Sequence, residues 1–163
     1  MNERAITEVV TKVLHTVIAP KMTLELAKYV IEKVEQKANE IGINVVVAVS
    51  NEGARPVAVH CMDEAFIASY DVAVNKAYTV VALKMSTISL KQLSQPQQAL
   101  YGIQFTNEGK IVIFGGGEPI LYKGKVIGGL GVSGGTEDQD VGLAAYGKSM
   151  LEEALRCQSM KGK

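Results

Sequence analysis

Residues 109–135 read GKIVIFGGGEPILYKGKVIGGLGVSGG, and their pattern decides the fold. Three short apolar runs, Ile111–Phe114, Pro119–Tyr122 and Lys125–Val132, are separated only by glycine-rich breaks. Lys123-Gly124 is a tight-turn dipeptide between the last two. Strands spaced this closely pair as antiparallel hairpins, because a parallel crossover needs a dozen or more intervening residues. Twelve of the sixteen glycines fall between Gly109 and Gly147. That density calls for turns, positive φ or close backbone approach.

Upstream, Ile43–Val49 is a continuous β-branched run, Ser50-Asn51-Glu52-Gly53 a turn, and Arg55–Met62 a hairpin partner. Pro56 pushes that partner towards a sheet edge. Residues 3–18 carry Ile6, Val9, Val10, Val13, Leu14 and Val17 at helical spacing, an amphipathic helix closed by Pro20. Thr23 is an N-cap for a second helix with Leu24, Ala27, Val30, Ile31, Val34, Ala38 and Ile41 on one face, stopped by Gly42. Residues 65–85 are apolar almost all round, which predicts a helix buried by this chain or by a second copy. Residues 86–101 are polar and Gln-rich, short helical turns plus loop, and 138–157 form a last helix. The order α-α-β-β-α-β-β-β-α predicts an α+β domain, an antiparallel sheet flanked by helices. The chain, 1–163, is expected to be one domain with residues 1–20 as a helical extension.

Seventeen basic side chains balance seventeen acidic ones, so no bulk field draws nucleic acid or an anionic membrane. No apolar run is long enough to span a bilayer, and MNERAITEVVTKVLH lacks a signal-type apolar core. The expected location is the cytoplasm. Cys61 and Cys157 have no metal-type spacing and are expected to be free thiols.

Two nucleotide-binding patterns occur, and both fail on context. Gly129-Leu130-Gly131-Val132-Ser133-Gly134 matches G-x-G-x-x-G, but the strands around it are antiparallel in expectation. Glu137, Asp138 and Asp140 would also repel a pyrophosphate at the following helix, though they suit its dipole. Gly142-Leu143-Ala144-Ala145-Tyr146-Gly147-Lys148-Ser149 matches a P-loop, but its apolar centre continues a helical stripe. Gly142 and Gly147 are then helix–sheet packing points.

Candidate ligand-binding residues remain. Gly115, Gly116 and Gly117 either form a positive-φ turn or present bare N–H groups to an anion. Asn75, Lys76 and Thr79 lie on the apolar helix. There Lys76 either snorkels at an interface or holds an anionic ligand. His60 and His15 are the two imidazoles available to a haem iron. Strand alternation sends His60 and Cys61 to opposite faces. Glu32 and Glu35 make an i, i+3 acid pair on a solvated helix face. No hydrolytic triad or paired general-acid carboxylates can be assembled.

An ordered set of segments is similar to a known family. It comprises Met22–Ala27, Val47–Gly53, Asp71–Thr79, Gln95-Pro96, Leu100–Gly102, Ile113–Ile120, Ile127–Gly135 and Gln139-Asp140. Together they resemble the GlcG/HbpS-like haem-binding family, related to the C-terminal domain of PduO-type cobalamin adenosyltransferases. The resemblance implies a profilin-like fold with a five-stranded antiparallel sheet, homo-oligomers, and in some members haem binding or degradation. The expected function is a small cytosolic, homo-oligomeric protein of a bacterial catabolic operon. It would bind haem or another tetrapyrrole such as a corrinoid, near Gly115–Gly117, Lys76 and a subunit interface. The alternatives are an enzyme degrading haem or acting on a small metabolite of diol or glycolate catabolism, and a structural accessory subunit.

Overall fold

The computed structural model describes residues 20–161. The helix expected over 3–18, with His15, lies outside them. Helix α1 spans Leu24–Glu40, opened by Thr23, whose hydroxyl accepts the Leu26 N–H at 3.2 Å. Strands β1 (Val46–Asn51) and β2 (Pro56–Cys61) form the first hairpin. Its turn is held by Asn51 Oδ1, which accepts the N–H groups of Gly53 and Arg55. Helix α2 (Ser69–Leu83) and short helix α3 (Thr87–Leu93) follow. A loop with two 3-10 turns then leads to β3 (Gly117–Tyr122), β4 (Lys125–Ser133) and α4 (Glu137–Lys161). Thr136 and Gln139 cap α4 reciprocally, each side chain accepting the other's backbone N–H.

All strand pairs are antiparallel, in the order β2-β1-β4-β3. Alternation along β1 builds two cores. Val47 and Val49 face α1 and α4, packing with Val30, Ile31, Val34, Leu143 and Leu151. Val46 and Ala48 face α2 and meet Ala73 and Ala77. The result is three layers: α1 with α4, the sheet, then α2.

Glycine in β4 sets how closely α2 approaches. A Cβ on Gly131 would overlap the Ala73 carbonyl oxygen and come within 2.7 Å of the Ala77 nitrogen. The helix backbone therefore rests directly on the strand. Gly147 plays a similar part in α4, where a Cβ would meet Val34 and Leu130.

Several expectations need correction. Among the described residues the sheet has four strands, not five. Residues 111–114 form no strand, because the Val112 N–H bonds the Thr79 hydroxyl of α2 instead of a neighbouring strand. This chain itself buries only one side of helix α2: Ala73, Lys76, Ala77, Thr79 and Val80 face inward, whereas Tyr70, Phe66 and Ile67 at and before its start are exposed, and the expectation of cover by a second copy is left standing. Gly142 is no packing point, since a Cβ there meets nothing within 4 Å. Both nucleotide patterns are excluded in place. Gly129 and Gly131 lie inside β4, paired to both neighbours, and 142–149 lie inside α4.

Gly131→Ala should lower the unfolding free energy by about 1–3 kcal/mol through overpacking. Gly142→Ala, in open space on a helix, should raise it by up to about 1 kcal/mol. Urea unfolding of both variants checks the contrast.

Candidate functional site

The fold brings Lys76 and the Gly115–Gly117 turn into one cluster and adds a residue that the pattern does not reveal, Asp140. Lys76 is fully buried. Its ammonium donates to Asp140 Oδ2 at 2.8 Å and to the Val132 carbonyl at 2.7 Å, beneath the Phe114 ring with the centroid at 4.9 Å. Asp140 turns its other oxygen to the Gly135 N–H at 3.0 Å. So Lys76 does not snorkel; its partner is a carboxylate in the first turn of α4. Burial lowers the Lys76 pKa despite Asp140, and burial raises the Asp140 pKa despite Lys76. Both changes favour the uncharged forms.

Gly116 crosses this cluster at φ 104°, and a Cβ there would sit 2.7 Å from Lys76 Nζ. The turn needs glycine for conformation and for room. Two of its N–H groups are already used: Gly115 donates to Glu137 Oε1 at 2.8 Å, and Gly117 to Thr87 Oγ1 at 2.9 Å. Glu137 also pairs with Lys91 of α3. The Gly115 N–H, then Lys91, holds the Glu137 carboxyl below the ordinary glutamate value. Thr79 is buried, donating to the Asn75 carbonyl at 2.7 Å and accepting the Val112 N–H at 3.0 Å, while the Asn75 side chain is half-buried.

His60 lies elsewhere. It stands opposite Val47 in the β1–β2 ladder and so shares the α1 face of the sheet, whereas Lys76 lies on the α2 face. Its Nδ1 is 3.0 Å from Glu35 Oε1 of α1, and the imidazole is part-exposed. Cys61 is opposite Val46 on the other face, and both cysteines are free and exposed. Glu32 lines an open groove on α1 with Leu24, Glu25, Lys28 and Tyr29. Among the described residues no three His, Cys, Asp or Glu side chains cluster as a metal site. None of the described helices is long and apolar enough to cross a membrane.

Exposed apolar side chains gather around α2 and the loops that follow it. Phe66, Ile67 and Tyr70 stand at its start, and Phe114 roofs Lys76. Tyr101 and Phe105 project from the long loop, which Asn107 ties to Tyr78 of α2.

A family model described as "Haem degrading protein HbpS-like" matches residues 22–148. An uncharacterized 15.0 kDa protein of the dhaT-dhaS intergenic region of Citrobacter freundii is 46% identical over 138 residues, 85% of this chain and 92% of its own length. The corrinoid adenosyltransferase PduO of the same organism is 37% identical over 66% of this chain, which spans only 32% of that enzyme. A solved PduOC:heme complex is 32% identical with a TM-score of 0.77, covering 80% of this chain and 94% of the other.

Lys76→Met or Asp140→Leu alone strands a buried polar partner and should cost about 3–5 kcal/mol, whereas the double variant should lose less than either single. A double-mutant cycle by urea unfolding tests this. The Glu137→Gln variant gives a pH prediction. A depressed carboxyl stabilises the fold when ionised, and that contribution is lost as pH falls through its folded value. The stability gap between wild type and Glu137→Gln should be about 1–2 kcal/mol at neutral pH. It should shrink progressively below the ordinary glutamate value of 4.5.

Proposed function

Because the chain belongs to the HbpS-like family, we propose that it is a cytosolic, self-associating protein that binds haem or a related tetrapyrrole. One observation carries this: likeness over nearly the whole of a domain solved with haem, at 32% identity. The residues present fit such a group. Among the described residues His60 is the imidazole, and Glu35 engages its Nδ1. A carboxylate on one ring nitrogen fixes orientation and leaves Nε2 for an iron. We therefore assign His60 as the residue that would hold a haem iron and Glu35 as its orienting partner. Bound haem would supply a redox-active iron.

Lys76 and the glycine turn lie across the sheet from His60, so one tetrapyrrole does not meet both within a single chain. We assign the exposed apolar surface of Phe66, Ile67 and Tyr70 to contact between copies, where an unpartnered apolar helix start would be covered. The family description favours a second reading, haem breakdown. The PduO relative's name supports corrinoid as an alternative tetrapyrrole.

Haemin titration followed by the Soret band should saturate in wild type and lose its saturable shift in His60→Ala. Glu35→Gln should bind about tenfold more weakly or worse. An unchanged shift in a folded His60→Ala protein would remove His60 from the assignment. Hydroxocobalamin titrated in parallel separates corrinoid from haem binding. Decay of the bound Soret band with a reductant present would favour breakdown over storage.

A further inference from the structure

The spacing over residues 3–18 predicts an amphipathic helix with Ile6, Val9, Val10, Val13, Leu14 and Val17 on one side. These residues lie outside the described ones and ahead of the family match, which begins at Met22. A helix this short is marginal in water unless its apolar side is covered. The structure offers a cover close by. Met22 is buried, and a Cβ on Gly128 of β4 would meet its Cε at 2.9 Å, so the chain is anchored to the sheet just before α1 begins at Leu24. Beyond that anchor an open groove of about 560 Å³ runs along the outward side of α1, lined by Leu24, Glu25, Lys28, Tyr29 and Glu32. Leu24 is 57% exposed there. All five residues belong to one convex helix, so α1 alone does not close the groove.

We propose that residues 3–18 seat in this groove of the same chain, as a strap antiparallel to α1. The lengths match. A helix over 3–18 spans about 24 Å, and the 17 residues of α1 span about 26 Å. Residues 19–23 make a connection of the length that joins antiparallel helices. With residue 18 level with Leu24, Leu14 comes level with Lys28 and Val13 with Tyr29. The apolar side of the strap then covers Leu24, the Tyr29 ring and the aliphatic stem of Lys28. Charge fits as well: Lys12, flanking the apolar side, falls within one turn of Glu32. A seated strap closes the outward side of α1 to other partners. The inference stands apart from tetrapyrrole binding, since neither His60 nor Glu35 is among the described residues that line the groove.

The test is a cross-link in the full chain with Cys61→Ser and Cys157→Ser. Val13→Cys is paired with Lys28→Cys, or with Phe105→Cys as a control on the α2 side of the sheet. Lys28 and Phe105 are both exposed, so neither pair disturbs the core. Under mild oxidation the 13–28 pair should close within one chain about tenfold faster than the control, read by non-reducing electrophoresis and peptide mass mapping. Closure between two chains makes a second copy the occupant and overturns the proposal; so do equal rates for the two pairs, or no closure. A second measurement keeps the native cysteines. Trypsin should cut after Lys12 about tenfold more slowly in wild type than in Val10→Asp/Leu14→Asp, because cleavage follows the population of released strap. Equal cleavage, with unchanged circular dichroism, overturns it as well.

Discussion

The Lys76–Asp140 pair is the contact on which the rest of the molecule depends. Four chain segments meet at it: α2 supplies the amine, β4 a carbonyl, α4 the carboxylate, and the glycine turn the space above them. These segments are far apart in sequence, with Lys76 and Asp140 alone separated by 64 positions. A hydrophobic pair of similar volume would be as stabilising in principle, because desolvation consumes most of the Coulombic gain. What the polar pair adds is direction. Its hydrogen bonds are satisfied only when β4 ends at Ser133 and α4 begins within a few residues, so the crossing of the layers is fixed in register as well as in distance.

Around that point, small residues carry the packing. Gly131 lets α2 lie against β4, and Ala73 and Ala77 are the helix residues that meet the sheet there. Such contact forfeits the area that larger side chains would bury. The other face compensates with valines, isoleucines and leucines from α1, β1, β4 and α4. The two faces thus have different tasks. One supplies most of the apolar burial; the other holds a helix close enough for a lysine to reach across the end of a strand.

The sequence was legible wherever information is local. The Thr23 cap, the Gly42 stop, the Lys123-Gly124 turn and the alternation of His60 and Cys61 follow from neighbouring residues, and the structure agrees with each. So does the antiparallel α+β arrangement. Non-local information was hidden. Asp140 reads as one more acid suited to a helix dipole, and nothing nearby shows that a buried lysine will need it. A lysine on an apolar helix, followed after a glycine-rich strand by several acids, was the signal available. Ile111–Phe114 has the composition of a strand, but Thr79, on another element, takes the Val112 N–H. The outward side of α2 reads as core because apolar residues do not reveal whether their cover lies in the same chain.

The ends of the sheet have a consequence of their own. Among the described residues the four-stranded sheet has two unpaired margins, β2 and β3, each a template on which a foreign strand could extend the ladder. Both margins are spoiled in the same way. Pro56 in β2 and Pro119 in β3 each remove a backbone donor, and the register shifts once along each of these strands' pairings. A chain with so many β-branched residues would otherwise be exposed to polymerisation, edge upon edge. With both borders interrupted, growth of the sheet from one molecule into the next is disfavoured.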